Sequence, residues 1–259
     1  MSLVLVLVEP AGPLNVGSVA RLCANFGISQ LRLVAPRCDH LGAEARRMAV
    51  HGVALLEQAG LYPRLADAVA DCQRVVATSG RIELESLPLA PVAEALAWLN
   101  QGHGAPGQPS STPEAGVAAL VFGREDRGLS NDELLQAGRV VRLSTSPAYS
   151  SLNLSHAVAI CLHELQSLQT LSDNQAIPAA AAAAAADQID PCARGALEAT
   201  LADAEALLLE VGFLYPHTAH ARMAKLRALL QRGQITAAEV ALLRGMVRQL
   251  RWAAQRGTP

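Results

Sequence analysis

Runs of apolar residues alternate with helical patterns over residues 1–170. Several runs are almost continuously apolar and rich in β-branched residues, which is typical of strands buried on both faces of a sheet. We predict strands at Leu3–Val8, Leu31–Ala35, Arg74–Thr78, Val117–Phe122 and Val140–Leu143. Between them we predict helices near Gly17–Phe26, Leu65–Cys72, Val92–Asn100 and Asp132–Ala137. The alternation predicts an α/β fold with a parallel sheet covered by helices.

The last helix of this part has the clearest pattern. Apolar residues recur along one face, at Leu154, Val158, Cys161, Leu162, Leu165 and Leu168. This spacing matches the 3.6-residue period of an α-helix. We expect the stripe to pack onto the sheet or onto a partner subunit.

The remaining chain divides into a linker and a second domain. Residues 171–190 contain a run of alanines, Ala179–Ala186, which favours helix but buries little surface, so we interpret this stretch as a linker. Residues 191–259 show three helical patterns, at Cys192–Val211, Ala221–Gln231 and Thr236–Trp252. Thr236 followed by Glu239 indicates a capping box at the start of the third. We therefore predict a sheet domain over 1–170 and a small all-α domain over 191–259.

Composition supports a folded chain with an uneven charge distribution. Apolar residues make up 51% and charged residues 17%, so a sizeable core can form and wholesale disorder is excluded. Aromatic residues are only 3%, which argues against a surface of stacking platforms for single-stranded nucleic acid. Residues 217–259 carry eight basic residues against the single acidic Glu239, whereas residues 171–216 carry Arg194 against seven acidic residues. The C-terminal helices thus form a basic module.

Membrane, secretory and metal-binding signals are weak. Outside the alanine-rich stretch there is no uncharged apolar run of about 18 residues, and the N-terminal apolar run lacks a basic segment. The five cysteines are odd in number and widely spaced, and two histidine pairs lack a third ligand. We expect no membrane span, no signal peptide, no disulfide framework and no metal site, and we expect a reducing cytoplasm.

The motifs of the common α/β enzyme classes do not occur. The segment after the first predicted strand lacks Gly-x-Gly-x-x-Gly, and no P-loop, His-Glu-x-x-His or Gly-x-Ser-x-Gly motif is found. Polar segments instead follow four of the predicted strands, at Asn15–Gly27, Thr78–Arg81, Gly123–Leu129 and Ser144–His156, and the first three contain glycine. Because ligands bind at the carboxyl ends of parallel strands, we expect these segments to converge on one pocket.

Three of these segments carry a family resemblance. Asn15–Gly27 (NVGSVARLCANFG), Phe122–Leu129 (FGREDRGL) and Ser150–Ala157 (SSLNLSHA) resemble the three motifs of the SPOUT methyltransferases, in particular the TrmH-type RNA ribose 2′-O-methyltransferases of the TrmJ group. Glu44–Gly52, Gly212–Pro216 and Leu242–Leu250 resemble further segments of that group. The resemblance implies a C-terminal trefoil knot in the sheet domain, a homodimer, bound S-adenosylmethionine and methylation of cytidine or uridine 32 in the tRNA anticodon loop.

The resemblance also implies roles for individual residues. Arg21 would contact tRNA and stabilise the reacting ribose oxygen, because arginine is too basic to serve as an ordinary proton acceptor. Ser151 would also be catalytic. Contacts with the cofactor are implied for Gly123, Leu143, Ser150, Ser151 and Leu152. We assign Thr78, Ser79 and Gly80 to the same contact from their position at a strand end alone.

Ordinary structural roles remain open for each of these residues. For Arg21 the alternative is a solvated helix residue or an ion pair with Glu9. Ser151 and its neighbours suit helix capping, and Gly123 and Gly128 suit a turn. Glu125 is either a general base or half of an ion pair with Arg124 or Arg127.

The basic module offers a candidate RNA surface. Arg244, Arg248 and Arg251 fall on one helical face, so they are either phosphate contacts to tRNA or a solvated surface. Two other functions stay open. One is 2′-O-methylation of ribosomal RNA or of the tRNA wobble nucleotide, and the other is non-catalytic RNA binding by the same fold.

Overall fold

A parallel sheet and ten helices organise the part of the chain that the computed structural model describes, which is residues 2–80, 87–100, 116–146, 148, 151–174 and 191–256. The strands lie in the order β3-β2-β1-β5-β4-β6 and all pair in parallel. They are β1 (Ser2–Val8), β2 (Gln30–Val34), β3 (Gly60–Tyr62), β4 (Cys72–Thr78), β5 (Val117–Phe122) and β6 (Arg139–Val141). The helices are α1 (Pro13–Asn25), α2 (Ala43–Ala49), α3 (Val53–Glu57), α4 (Leu65–Ala68), α5 (Val92–Asn100), α6 (Asn131–Leu134), α7 (Leu154–Asn174), α8 (Arg194–Glu210), α9 (Pro216–Arg232) and α10 (Ala237–Arg256).

The central strands are buried on both faces, which confirms the predicted parallel sheet. Successive side chains of β1 point to opposite faces, as the two-residue period of a strand requires. Leu5 and Leu7 join one apolar cluster, formed with α1, α5 and α7. Val4 and Val6 join the other, formed with α4 and α6. The stripe of α7 therefore packs onto the sheet.

Several element bounds differ from the predictions, and helices α2 and α3 were not predicted. Helices α1 and α9 begin earlier than predicted, at Pro13 and Pro216. The helix predicted at Leu65–Cys72 ends at Ala68, because β4 already begins at Cys72. The strand predicted at Val140–Leu143 ends at Val141, which leaves Leu143 in the loop that follows. Strand β3 was not predicted, since three residues at the edge of the sheet are too short to show a period.

Two glycines allow α1 to approach its neighbours closely. A Cβ atom added at Gly17 would overlap the carbonyl oxygen of Ala45 in α2. A Cβ atom added at Gly52 would lie 2.6 Å from the carbonyl oxygen of Ala20. These contacts fix the position of α1, and with it the side chains that α1 presents.

Helices α8–α10 enclose an apolar cluster of their own and dock onto the sheet domain. The capping box predicted at Thr236 is present, because the Thr236 and Glu239 side chains each accept a hydrogen bond from the other's backbone N–H. Docking uses the buried Gln231 amide, which donates to the carbonyl of Leu135 at 2.9 Å. The indole N–H of Trp98 donates to Gln234 at 3.2 Å. Among the described residues, no helix is both long and apolar enough to cross a membrane.

Candidate active site

A cavity of about 420 Å³ lies where three neighbouring strands end. Its walls come from the loops after β4, β5 and β6 and from the start of α7. The volume falls within the roughly 300–1,000 Å³ typical of small-molecule sites. Loops that follow parallel strands share one edge of the sheet, which is why residues far apart in the chain meet here.

The structure brings most of the predicted cofactor residues together. Those that line the cavity are Thr78, Ser79, Gly80, Gly123, Leu143, Ser151 and Leu152. Ser150 lies outside the described residues. Contact between these residues and a cofactor stays a prediction. The segment Asn15–Gly27, which we expected in the same pocket, lies beside the cavity and supplies none of the described lining.

The loop after β5 turns back on itself and lines the cavity. The N–H of Gly128 donates to the carbonyl of Arg124 at 2.8 Å, and Gly128 has a φ of 70°, which favours glycine. A Cβ atom at Gly123 would overlap the backbone of Gly128. The turn role left open for both glycines therefore fits the geometry, and it is compatible with Gly123 lining a ligand site.

Hydrogen bonds join the three motif segments to one another. The Glu125 carboxylate, in the second motif, accepts from the backbone N–H groups of Ala11 and Gly12 and from the Asn15 amide, each at 3.0 Å. The Asn15 oxygen in turn accepts from the Asn153 amide at 2.9 Å. We call this series, Glu125–Asn15–Asn153, the motif relay.

The Glu125 carboxylate fixes the orientation of both asparagine amide groups in the motif relay. An ionised carboxylate only accepts hydrogen bonds, so the NH₂ group of Asn15 must face Glu125 and its oxygen must face Asn153. The NH₂ group of Asn153 is thereby turned toward Asn15, which leaves its oxygen for the start of α7. That oxygen accepts from the backbone N–H of Ser155 at 2.9 Å and thus caps the helix. The capping role left open for this segment belongs to Asn153.

Glu125 is poorly suited to act as a general base. Burial alone would raise its pKa, but hydrogen bonds from Ala11, Asn15 and Gly12 together hold the pKa below the ordinary value. Its lone pairs also face donors of the β1–α1 turn rather than open solvent. The alternative ion pair with Arg124 or Arg127 is wrong, because within the described ranges those arginines pair with other carboxylates.

Glu9 is the shared partner of those arginines. Its carboxylate lies 2.9 Å from Arg127, 3.4 Å from Arg124 and 2.8 Å from Arg37. Glu9 itself has a φ of 48°, a left-handed conformation at the carboxyl end of β1. Arg124 also pairs with Asp126, and that arginine holds the pKa of Asp126 below its ordinary value.

Arg21 stands on α1, outside the cavity wall, with its side chain exposed. Among the described residues its guanidinium has neither a hydrogen-bond nor an ion-pair partner. The alternative that Arg21 pairs with Glu9 is wrong, since Glu9 is occupied by the three other arginines. Arg21 is therefore an exposed cation on α1 that remains available for an anionic substrate.

The predicted RNA-binding arginines of α10 do not share one environment. Arg244 donates to the Thr200 hydroxyl of α8 at 3.3 Å, and Arg251 donates to the carbonyl of Asp203 at 2.9 Å. Both residues therefore lie along the α8–α10 contact. Arg248 is exposed and has no partner within the described part of the chain.

Other reactive groups are buried or dispersed. Burial raises the pKa of Cys23, Cys72 and Cys161 to about 12. In the described part of the chain, no group of three or more His, Cys, Asp or Glu side chains is placed to hold a metal ion.

The fold and the cavity define an α/β protein with a ligand site at the carboxyl edge of a parallel sheet. The model of the SpoU rRNA Methylase family matches residues 2–163, and the chain belongs to this family. A second model, that of the tRNA methyltransferase TrmJ C-terminal domain, matches residues 195–259. The resemblance found in the sequence motifs is thus confirmed.

Individual relatives are similar over most of the chain. The tRNA (cytidine/uridine-2′-O-)-methyltransferase TrmJ of Klebsiella pneumoniae is 34% identical over 245 residues, 94% of this chain and 93% of that protein. The tRNA (cytidine-2′-O-)-methyltransferase TrmJ of Methanocaldococcus jannaschii is 37% identical over 164 residues, 62% of this chain and 65% of that protein. The crystal structure of TrmJ from Z. mobilis ZM4 matches with a TM-score of 0.77 and 29% identity, over 96% of this chain and 99% of that one.

Proposed function

We propose that this chain is a tRNA (cytidine/uridine-2′-O-)-methyltransferase that uses S-adenosylmethionine. One observation carries the proposal. The loops after β4, β5 and β6 and the start of α7 build a single cavity, in a chain that matches both the SpoU and the TrmJ C-terminal models.

The lining residues suit S-adenosylmethionine. Leu143, Leu152 and Leu154 provide an apolar wall for the adenine ring, and Thr78 and Ser79 provide polar groups at the end of β4. Ser151, just before α7, adds a hydroxyl to the same cavity wall. When bound, the cofactor supplies an electrophilic methyl group.

The chain's own residues orient the ribose and stabilise its charge. A ribose hydroxyl is a weak nucleophile, so the negative charge that would develop on its oxygen must be stabilised by the protein. Arg21 performs this role and holds the neighbouring phosphate, because its guanidinium suits bidentate contact with phosphate. The hydroxyl proton passes to the substrate phosphate or to water, and Ser151 positions the reacting group from the cavity wall.

The proposal includes the finer features that the resemblance implies. The target is nucleotide 32 of the anticodon loop, and the enzyme is a cytoplasmic homodimer whose sheet domain contains a trefoil knot. The exposed apolar side chains of Leu14 on α1 and Ile160 on α7 support a subunit contact there. Residues 1–170 carry the chemistry, 171–190 link the domains, and 191–259 help to hold tRNA.

The test is methyl transfer from labelled S-adenosylmethionine to unmodified tRNA transcripts, with the modified nucleotide mapped by nuclease digestion and mass spectrometry. We expect label at nucleotide 32. Label at the wobble nucleotide, or only in ribosomal RNA, would support 2′-O-methylation but at a different target nucleotide. Cofactor binding without transfer to any RNA would favour the non-catalytic alternative.

Arg21 is tested separately from binding. We expect Arg21→Ala to lower single-turnover transfer by about 10²-fold or more, because removal of one charge-stabilising donor has effects of this size. Cofactor affinity should not change, since Arg21 is not part of the described cavity wall. Normal turnover in this variant would contradict the proposed mechanism.

A further inference from the structure

The turn between α8 and α9 exposes unusually large apolar side chains. Phe213 is 62% exposed, Tyr215 is 55% exposed and Val211 is 50% exposed, whereas Leu214 between them is buried. The chain has only three Phe and three Tyr residues. Aromatic residues are thus scarce overall but concentrated and outward-facing here, which the composition alone did not reveal.

This turn is held rigidly. Gly212 has a φ of 75°, and the N–H of Leu214 donates to the carbonyl of Leu208 at 2.9 Å. The Arg222 guanidinium of α9 donates to the carbonyl of Phe213 at 3.2 Å. Tyr215 stacks on His217 with ring centroids 5.9 Å apart. The backbone of the turn is therefore held by hydrogen bonds, and the Tyr215 ring is also held by its stacking contact, so Tyr215 has less side-chain freedom to lose on binding.

The helix that follows supplies positive charge. Residues 216–232, which form α9, include four basic residues and no acidic residue. Arg227 pairs with Glu198, but Lys225 and Arg232 are exposed and have no partner among the described residues. A polyanion is the partner that such a surface fits.

The start of α9, which follows this turn, contacts a helix of the sheet domain that borders the cavity. His220, one turn into α9, lies 3.2 Å from Asp132 of α6. The residue before Asp132, Asn131, lines the cavity. An RNA strand whose ribose enters the cavity therefore passes near the start of α9.

We propose that Phe213 and Tyr215 form a stacking platform for unpaired bases of the RNA substrate, with the phosphates held by Lys225 and its neighbours on α9. Each aromatic ring offers a face to a base, and stacking of this kind tolerates any sequence. Docking of a second copy is disfavoured, because a symmetric contact would bring two positively charged α9 helices together. This inference rests on the proposed tRNA substrate.

The experiment measures tRNA affinity of the full chain across a salt series. We expect Phe213→Ala to weaken binding by about 5- to 100-fold, with an unchanged slope of log affinity against log salt, because stacking releases no counterions. Phe213→Trp should retain affinity, and Phe213→Leu should lose it although it keeps most of the apolar surface. Lys225→Ala should reduce the slope by about 0.7–0.9. Leu61→Ala, at an equally exposed position on β3, is the matched control and should bind normally.

Three outcomes would overturn the platform. They are unchanged affinity in Phe213→Ala, full affinity in Phe213→Leu, and a lower sedimenting mass for Phe213→Ala, which would make this surface a contact between copies of the chain. Methyl transfer by the unaltered protein is measured alongside. If transfer occurs but the Phe213 variants bind tRNA normally, the stacking platform is refuted and the proposed function stands. If transfer is absent, the proposed function fails, and the binding series still tests the platform.

Discussion

Replacement of Glu125 by glutamine tests whether the motif relay holds the site together. The carboxylate accepts three hydrogen bonds at 3.0 Å, from Ala11, Gly12 and Asn15. Glutamine has a single acceptor oxygen, so Glu125→Gln keeps two of these bonds in weaker, neutral form. Its NH₂ group then faces the third donor, which is left without an acceptor.

The expected loss of stability follows from these contacts. A hydrogen bond to a charged group contributes about 1.5–3 kcal/mol, and a neutral one about 0.5–1.5 kcal/mol. Glu125 is only half-buried and Ala11 is exposed, so water compensates part of the loss. We therefore expect about 1–2 kcal/mol less stability at neutral pH. For a chain of this size that corresponds to a Tm lower by roughly 2–8 °C.

The pH dependence separates this effect from a general loss of packing. Because the pKa of Glu125 is lowered in the folded state, its stabilising contribution is complete above the ordinary value of 4.5. The contribution is lost as the pH falls through the lower folded-state pKa. Urea unfolding from about pH 7 to pH 3 should therefore show the unaltered protein and Glu125→Gln converging at the acid end.

The adjacent carboxylate supplies the control. Asp126 is exposed and pairs only with Arg124 among the described residues, so Asp126→Asn should change stability little. The reasoning would be refuted if Glu125→Gln matched the unaltered protein at neutral pH. It would also be refuted if the difference between the two proteins stayed constant down to pH 3.

Three further predictions follow from other contacts. Gly17→Ala should destabilise the protein by about 1–3 kcal/mol in urea unfolding, because the added Cβ overlaps a carbonyl of α2. Normal stability would show that α1 and α2 move apart at little cost. Arg248→Ala should lower the slope of log tRNA affinity against log salt by about 0.7–0.9, whereas Arg244→Ala should lower it less because Arg244 contacts α8. Equal effects of the two substitutions would contradict this contact. Alkylation of the folded protein near pH 8, followed by mass spectrometry, should modify Cys38 first, since burial suppresses ionisation of the other thiols. The other thiols are those of Cys23, Cys72, Cys161 and Cys192, and their rapid labelling would contradict their burial.

The fold was largely predictable from hydrophobic periodicity. The buried strands β1, β4 and β5 have long apolar runs, which only a sheet covered on both faces can accommodate. Strand β3 escaped prediction because its three residues take their structure from pairing with β2, not from a pattern of their own. The order of the strands also depends on pairing and was not predictable.

The candidate site was predictable as a set of loops but not as a set of contacts. Strand ends indicate which segments meet, yet Glu125 and Asn15 are 110 residues apart, and nothing local identifies them as partners. Glu125 therefore resembled a free base or half of an ion pair. The same limit applies to Arg244 and Arg251, which share a helical face whose direction is set by packing against α8.

The most direct test of the central claim removes a single oxygen atom from the substrate. Two matched tRNAs are assembled by ligation, one with cytidine and one with dC32 at position 32, and each is incubated with the protein and labelled S-adenosylmethionine. We predict transfer to the tRNA with the ribose hydroxyl and none to the tRNA with dC32, with equal affinity for both. Equal labelling of the two tRNAs would contradict methylation of the 2′ oxygen of nucleotide 32.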